Sequence, residues 1–328
     1  YGIASLLVGR FIGPLRPMLP MVAGMFDMPF PRFFAVSLLA GAGWSVAYLL
    51  PGWATGAAIR LPLPEGFWPE AGIVAGAIAV MIGLSVTSSL RRHRNATVFI
   101  TGMSLLILAG LFIGFPHLTA LDQGVMTLVQ EHRKPVLDEV AVVLTLIGEF
   151  RNMLLFSALL VALLLITRQW RQAIFACSTL LCTALANTAT KNFFARMRPE
   201  VLSDPLTSYS MPSGHASGAF ALFLTLAVLA GRGQPPRMRL TWLLVACLPA
   251  LAIALSRVYL GAHWPTDVLA GAMLAACVCA ASLWLIQREA SLNPMSPRIW
   301  WLILPSLVAM FGFFVLRHLP HTMLRYAY

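Results

Sequence analysis

Charge is scarce in this sequence. Only 11% of its 328 residues are Asp, Glu, Lys or Arg, whereas 59% are hydrophobic. Several apolar runs come near the roughly 20 residues that an α-helix needs to cross a bilayer. The composition therefore excludes an ordinary water-soluble domain. It predicts an all-α polytopic membrane protein that is surrounded by the lipid bilayer.

Acidic residues are scarcer than basic ones. The chain has 12 Asp and Glu against 23 Lys and Arg, which gives a formal net charge of +11. Such an excess could indicate nucleic-acid binding. The cations, however, lie in short loops between apolar runs, and this pattern is typical of membrane topology. We therefore expect no nucleic-acid partner, and the oligomeric state stays open.

Cysteine is also scarce, and all of it lies inside apolar runs. No cysteine has metal-ligand spacing with a nearby histidine, so we interpret the cysteines as small buried hydrophobic residues. We expect no cofactor and no metal site. The cysteines are Cys177, Cys182, Cys247, Cys277 and Cys279.

The first 58 residues differ from an ordinary pair of spans. Two arginines and three prolines lie between residues 10 and 20, and such a stretch predicts a re-entrant segment before a span at 33–58. The pattern R-F-I-G-P-x-R-P…A-G-M…R-F…G-A-G-W resembles the C-terminal half of DedA-type (SNARE-associated) membrane proteins, which are proposed transporters of polyprenyl phosphate and other lipids. A pair of kinked helices is the alternative. Because the first half of such a module is absent and the chain begins at Tyr1, we expect a fragment.

The remaining apolar runs define a topology. Residues 59–70 form a predicted loop, and the cluster Arg91–Arg94 predicts the cytoplasmic side. Residues 115–150 mix charged and apolar positions, which favours an interfacial amphipathic helix and a loop on the outer face. The predicted spans are 71–90, 97–114, 152–167, 173–190, 213–230, 240–255, 267–287 and 300–315.

Three short polar islands interrupt the apolar sequence, each at the end of a predicted span and all on the predicted outer face. Ionisable groups at membrane depth or its edge are costly, so they indicate a functional site. The islands are K-x6-R-P with Lys191 and Arg198, P-S-G-H with Ser213, Gly214 and His215, and S-R-x5-H-x3-D with Arg257, His263 and Asp267.

The residue types in these islands suit a phosphoryl group. Two arginines and a lysine would surround a multiply charged anion, because the planar guanidinium fork matches phosphate oxygens. Ser213 and Gly214 follow a proline at a predicted helix start, where free N–H groups bind anions readily. Asp267 could hold one imidazole nitrogen of His263 protonated and leave the other free to attack. His215 could then protonate the leaving oxygen.

Together, the three signatures resemble those of the type 2 phosphatidic acid phosphatase superfamily. The resemblance implies a six-helix bundle that needs no metal, with phosphate bound by Lys191, Arg198, Ser213, Gly214 and Arg257. It also implies that His215 is the general acid, that His263 is the nucleophile and that Asp267 orients His263. The expected organisation is a partial DedA-like module at 1–58, a linker and connecting transmembrane helix at 59–94, the phosphatase-like domain at 95–290, and an extra helix and tail at 291–328.

The function that we expect is hydrolysis of a membrane lipid phosphate or pyrophosphate through a phosphohistidine. The expected location is the periplasmic face of a bacterial inner membrane, and undecaprenyl pyrophosphate is the favoured substrate. Phosphatidic acid and phosphatidylglycerophosphate are alternative substrates. A DedA-like lipid transporter with a headgroup-binding domain is an alternative of another class. A vanadate-dependent haloperoxidase would share the anion pocket, but those enzymes are soluble.

Overall fold

The structure, a computed structural model, describes residues 17–25, 27–60, 62–90, 96–201, 208–288 and 290–325. Throughout these ranges the regular structure is helical and no strand occurs. The chain divides into two compact units, Tyr1–Leu63 and Pro64–Tyr328. The predicted all-α fold is confirmed.

The first unit holds two described helices, α1 (Leu19–Met25) and α2 (Phe30–Arg60). A small apolar cluster joins them, with Ala23 and Val36 buried. The predicted span at 33–58 lies within α2. Most of the predicted re-entrant stretch lies outside the described residues, as does the basic cluster Arg91–Arg94.

The second unit contains ten described helices and a 3-10 turn at Phe115–His117. Prolines begin four of these helices, in agreement with the preference of proline for the first helical turn. The helices are α3 (Phe67–Leu90), α4 (Ala96–Gly114), α5 (Thr119–Glu131), α6 (Pro135–Ile147), α7 (Phe150–Ile166), α8 (Trp170–Phe194), α9 (Gly214–Ala230), α10 (Pro236–Tyr259), α11 (Pro265–Gln287) and α12 (Pro297–Arg325).

Six of the described helices are long and apolar enough to cross a membrane, namely α3, α4, α8, α10, α11 and α12. The helices α6 and α7 pass the same test together, although they are bent by 51° at the break between them, so the number rises to seven if this pair is one span. With 17 residues, α9 is shorter than each of these six helices. The chain is therefore a multi-pass membrane protein, as the composition predicted.

Two details of the sequence interpretation are wrong. We expected one interfacial helix and a loop over 115–150, whereas the structure has two helices there, α5 and α6, and α6 leads into α7. Pro135 explains the second helix, because its fixed φ favours a new helical start. In addition, Cys177 and Cys182 are exposed on α8 and not buried.

The core of the second unit is centred on α9, which contacts α7, α8, α10 and α11. Small residues make this close packing feasible, since Ala216, Ala219 and Ala221 are almost fully buried. Gly271 of α11 gives the clearest example. A β-carbon there would lie 2.7 Å from the backbone oxygen of Ser213, so only glycine lets α11 approach the beginning of α9 this closely.

The connecting helix α3 is fastened to α5. The Phe67 ring occupies the space beside Gly124, where an added β-carbon would lie 2.3 Å from its Cδ2 atom. Glu70 Oε2 accepts a hydrogen bond of 2.7 Å from the Leu121 amide, one of the otherwise unpaired N–H groups in the first turn of α5. These contacts fix α5, which carries the buried Asp122.

Candidate active site

All three polar islands meet at one end of the helical bundle of the second unit. Lys191 lies in the last turn of α8, and Arg257 lies in the last turn of α10. His215 and Asp267 lie in the first turns of α9 and α11. Direct contacts join the islands. The Ser213 amide donates to the Asp267 carbonyl oxygen at 2.9 Å, and Arg198 Nη1 lies 3.1 Å from His263 Nε2.

His263 lies in the short loop between α10 and α11, and only 1% of its surface is exposed. Burial, and then the positive charges of Arg198, Arg257 and Lys191, lower the pKa of His263 well below 6.5. Its imidazole is therefore neutral at pH 7, so one ring nitrogen carries a lone pair and acts as an acceptor. Each of the three predicted cations contributes to this lowering, after burial.

The predicted phosphate-binding cations lie at different depths. Arg257 is almost fully buried and donates from Nη1 to the Thr145 hydroxyl of α6. Arg198 and Lys191 are only partly buried, so the site has a buried arginine on one side and more accessible cations on the other. Arg198 Nη1 donates to the Ala262 carbonyl at 2.6 Å.

The segment at residues 208–209 lies directly beside the two accessible cations. Arg198 Nε donates to the Ser208 carbonyl at 2.6 Å, and its Nη2 donates to the Ser208 hydroxyl at 2.9 Å. Lys191 Nζ donates to the Tyr209 carbonyl at 2.8 Å. This segment thus orients both side chains towards the site.

The P-S-G-H island forms the beginning of α9, as predicted. Ser213 is the N-cap, and its hydroxyl accepts a 3.4 Å hydrogen bond from the Ala216 amide. The Asn187 side chain of α8 donates to the Pro212 carbonyl at 3.4 Å and so holds the turn before the helix. The beginning of α9 therefore presents its remaining N–H groups, and its partial positive charge, beside the cations.

His215 packs against the turn between α6 and α7. A β-carbon built on Gly148 in that turn would lie 3.2 Å from His215 Cδ2 and 2.4 Å from Ile253 Cγ2. The turn is closed by Asn152, whose side-chain amide donates to the Leu146 carbonyl at 2.6 Å. His215 as a whole residue is half-buried.

Asp267 is fully buried and uses both carboxylate oxygens. Oδ2 accepts from the Trp264 amide at 2.8 Å and from the Ser210 hydroxyl, and it lies 3.6 Å from His263 Nδ1. Ser210 Oγ is in turn 3.4 Å from the same His263 nitrogen. Asp267 and Ser210 thus face His263 together, on the side of the ring opposite to Arg198.

Sequence reasoning missed four polar residues around this site, which are Asp122, Thr145, Arg196 and Ser210. Asp122 could have been found from the sequence, because it is an acidic residue at a buried position on the apolar face of the amphipathic helix α5. Arg196 and Ser210 lie within or just before predicted islands, but their partners are distant in sequence. Among the residues that the structure describes, no group of three or more His, Cys, Asp or Glu is placed to hold a metal ion.

Comparison with known families agrees with the resemblance that the three islands indicated. The family described as the PAP2 superfamily matches residues 171–291, a segment that contains all three islands. The resemblance that the three signatures predicted is thereby confirmed for this segment. A crystal structure of a transmembrane PAP2-type phosphatidylglycerolphosphate phosphatase from Bacillus subtilis is similar over 58% of this chain and 96% of that chain, with a TM-score of 0.51 and 22% identity. That similarity shows a shared fold.

Three curated relatives each resemble a part of this protein. "Undecaprenyl-diphosphatase" of Sulfolobus acidocaldarius is 33% identical over 134 residues, or 37% of this chain and 59% of that protein. "Phosphatidylglycerophosphatase B" of Bacillus subtilis is 29% identical over 144 residues, or 42% of this chain and 70% of that protein. "Inner membrane protein YabI" of Escherichia coli is 45% identical over 62 residues, or 19% of this chain and 24% of that protein.

The chain spans between 24% and 50% of the length of the first curated relatives that it matches. The short match to YabI, at higher identity than the phosphatase matches, agrees with the predicted second membrane module in the same chain.

Proposed function

We propose that this protein is a membrane lipid phosphatase that works through a phosphohistidine on His263. One observation carries the proposal. His263 is buried and neutral, its Nε2 lies 3.1 Å from Arg198, and the charges of Arg198, Arg257 and Lys191 all act on it. A neutral nucleophile inside a cluster of cations suits attack on a phosphoryl group, whose negative charge the cations stabilise.

In the first step, His263 Nε2 attacks the phosphorus of the bound ester or anhydride. The bond from phosphorus to the leaving oxygen breaks, and His215, which takes up a proton when the negatively charged phosphoryl group is bound, gives that proton to the leaving oxygen. The Asp267 carboxylate, with Oδ2 at 3.6 Å from His263 Nδ1 and Ser210 beside it, stabilises the positive charge that the ring acquires while Nδ1 keeps its hydrogen. Lys191, Arg198, Arg257 and the beginning of α9 hold the phosphoryl oxygens.

In the second step, a water molecule attacks the phosphohistidine. His215, now neutral, takes a proton from the water, the P–N bond breaks, and inorganic phosphate leaves with His263 restored to its neutral form. With a lipid pyrophosphate, the terminal phosphorus is the one attacked, and the lipid product is the monophosphate. With a phosphomonoester, the product is the lipid alcohol.

Undecaprenyl pyrophosphate is the substrate that we favour, with the site at the periplasmic face of a bacterial inner membrane. Support comes from the 33% identity to a protein named as an undecaprenyl-diphosphatase and from the basic loops predicted at the other membrane side. The similarity of the first 58 residues to proposed polyprenyl-phosphate transporters adds a rationale. One chain would then dephosphorylate the carrier and keep the product near a module that returns it, since tethering raises the local concentration.

Two other functions have specific support. The relative named phosphatidylglycerophosphatase B favours a phospholipid phosphomonoester, and phosphatidic acid belongs to the same chemical class. The resemblance of the first 58 residues to DedA-type proteins favours a lipid transporter, in which the second unit would bind headgroups without hydrolysis. The full set of catalytic residue types in the islands argues for hydrolysis.

The test is an assay of the purified full-length chain in detergent micelles against undecaprenyl pyrophosphate, phosphatidylglycerophosphate and phosphatidic acid. We expect the highest kcat/KM for the pyrophosphate. A preference of about tenfold for either phosphomonoester, or about 1.4 kcal/mol of transition-state binding, would overturn the polyprenyl assignment and leave the phosphatase intact. Absence of phosphate release, together with movement of a labelled lipid across vesicles, would establish the transporter.

A further inference from the structure

An arginine outside the predicted phosphate ligands lies behind the catalytic carboxylate. Arg196 follows α8, and its side chain is only 10% exposed. Its Nη1 donates to Asp267 Oδ1 at 2.7 Å and to the Thr266 hydroxyl at 2.7 Å. The guanidinium also lies 4.9 Å from the Phe115 ring centroid and 5.7 Å from that of Trp264, so aromatic faces limit its movement.

The other end of the same guanidinium binds a second buried carboxylate. Arg196 Nη2 donates to Asp122 Oδ2 at 2.6 Å, and Asp122 is 1% exposed. Asp122 also accepts from the Thr266 amide at 3.0 Å and from the Thr266 hydroxyl at 2.7 Å. One arginine therefore spans two carboxylates, and the second of them caps the first turn of the helix that begins at Pro265 and carries Asp267.

The electrostatics explain why these groups occur together. Burial raises the pKa of Asp122, and the positive charge of Arg196 opposes that rise. A buried charge is tolerated when it is paired and fully hydrogen-bonded, and both carboxylates meet this condition through one guanidinium. The first turn of a helix also favours negative charge, so the partial positive charge at the beginning of α11 contributes further.

The two carboxylate oxygens of Asp267 have different partners. Oδ1 faces Arg196, whereas Oδ2 faces Ser210, the Trp264 amide and His263 Nδ1. A carboxylate fixed at Oδ1 cannot rotate Oδ2 away from His263 without losing a charge-assisted hydrogen bond. The planar fork is essential here, because a single ammonium group does not reach both carboxylates in the same geometry.

We infer that Arg196 is a positioning residue that acts through Asp267, and that Asp122 fixes Arg196 from behind. The inference rests on the proposed phosphatase function. Arg196 does not touch the phosphoryl group. Its part is to hold the Asp267 carboxylate aimed at His263, so that the nucleophile keeps one orientation while the phosphoryl group transfers.

The test is a double-mutant cycle on kcat with the full-length chain and its best lipid phosphate. Arg196→Ala should lower kcat by about 100-fold, the size of effect expected from misplacing a reacting group by about 1 Å. In the Asp267→Asn background the same substitution should lower kcat by no more than about twofold, because residues that act as a unit are not additive. The KM and the inhibition constant of inorganic phosphate should stay within about twofold, because the phosphate ligands are untouched.

A matched control and a milder variant keep the test decisive if Arg196→Ala fails to fold. Arg196→Lys keeps the charge and should restore part of kcat. Arg171→Ala removes a similar half-buried arginine, which donates to the Ile286 and Ala290 carbonyls at the other end of α8, and kcat should not change. Thermal unfolding of each purified variant reports the structural effect separately.

Each outcome has one meaning. Equal losses from Arg196→Ala in the wild-type and Asp267→Asn backgrounds would overturn the inference, because the arginine would then act independently of Asp267. Wild-type kcat in folded Arg196→Lys and Arg196→Ala would also overturn it. An inactive wild-type protein on every lipid phosphate would instead overturn the proposed function, and the inference would fall with it.

Discussion

Gly148 lies directly against His215, and a side chain at position 148 would have to displace its neighbours. The β-carbon of an alanine there would lie 3.2 Å from His215 Cδ2 and 2.4 Å from Ile253 Cγ2, and the second distance is well inside van der Waals contact. The turn between α6 and α7 therefore forms one wall of the space that the proposed general acid occupies. This contact links a residue outside the three signatures to the chemistry.

Gly148→Ala should lower kcat by about 10- to 100-fold, because the turn or the His215 ring must shift by several tenths of an ångström or more. Steady-state kinetics with the best lipid phosphate measures the effect. Gly110→Ala on α4 is the matched control, since nothing lies within 4 Å of the added β-carbon. Equal kcat in the two variants would show that His215 does not depend on the turn.

His263→Ala and His215→Ala should each lower phosphate release by about 100- to 10,000-fold, with the protein still inserted and folded. His117→Ala, in the 3-10 turn outside the catalytic set, should retain wild-type turnover. Near-normal turnover of the His263 variant would contradict the phosphohistidine scheme. We also expect activity to survive EDTA, and a loss in EDTA that added metal restores would contradict this expectation.

The imidazole of His263 should remain neutral below the ordinary titration range. Its pKa is lowered by burial and by Arg198, Arg257 and Lys191, so protonation requires a pH well below 6.5. A lowered pKa also means that the unfolded chain binds the proton more readily, so His263 favours unfolding as the pH falls below 6.5.

Nitrogen NMR of histidine-labelled protein, with His263→Gln for assignment, measures this state directly. We expect the shifts of a neutral ring at about pH 6, which is below the ordinary histidine pKa. The exposed His117 provides a second histidine signal, from outside the site, in the same spectra. A charged His263 ring at that pH would show that the histidine cannot serve as the free nucleophile.

Cysteine labelling in a background without native cysteines should reveal the orientation of the site. Ser208→Cys should react with a membrane-impermeant reagent added outside intact cells, whereas Arg237→Cys at the beginning of α10 should not. The basic loops predicted on the inner side motivate this expectation. The reverse pattern would place the chemistry on the cytoplasmic side.

The sequence predicted the helical class and the residues that gather at one bundle end, because each signature sits where an apolar run begins or stops. The period of the hydrophobic pattern and the spacing of the motif residues, however, describe one helix at a time. Arg196 and Asp122 are 74 residues apart, and their contact depends on the rotation and height of α5 relative to the loop after α8. Neither quantity follows from the hydrophobic pattern, so the ion pair between Arg196 and Asp122 could be found only in the three-dimensional structure.

The division of residues 115–150 into two helices shows the same limit of sequence-based prediction. Mixed charges there correctly indicated an amphipathic helix, since α5 buries Leu121 and Met126 on one side. The loop was wrong because the stretch after Pro135 is helical and apolar enough to join α7 as a bent pair. The bend lies at Gly148, whose role becomes visible only when His215 is seen beside it.

Asp267 contributes to the site twice, once through its carboxylate and once through its main-chain carbonyl, which accepts the Ser213 amide at 2.9 Å. Mutation can change only the first of these. Every replacement at position 267 keeps a carbonyl oxygen, so the beginning of α9 retains its anchor whatever side chain stands there. A substitution at position 267 can therefore change the carboxylate chemistry and still keep the main-chain hydrogen bond that anchors the beginning of α9.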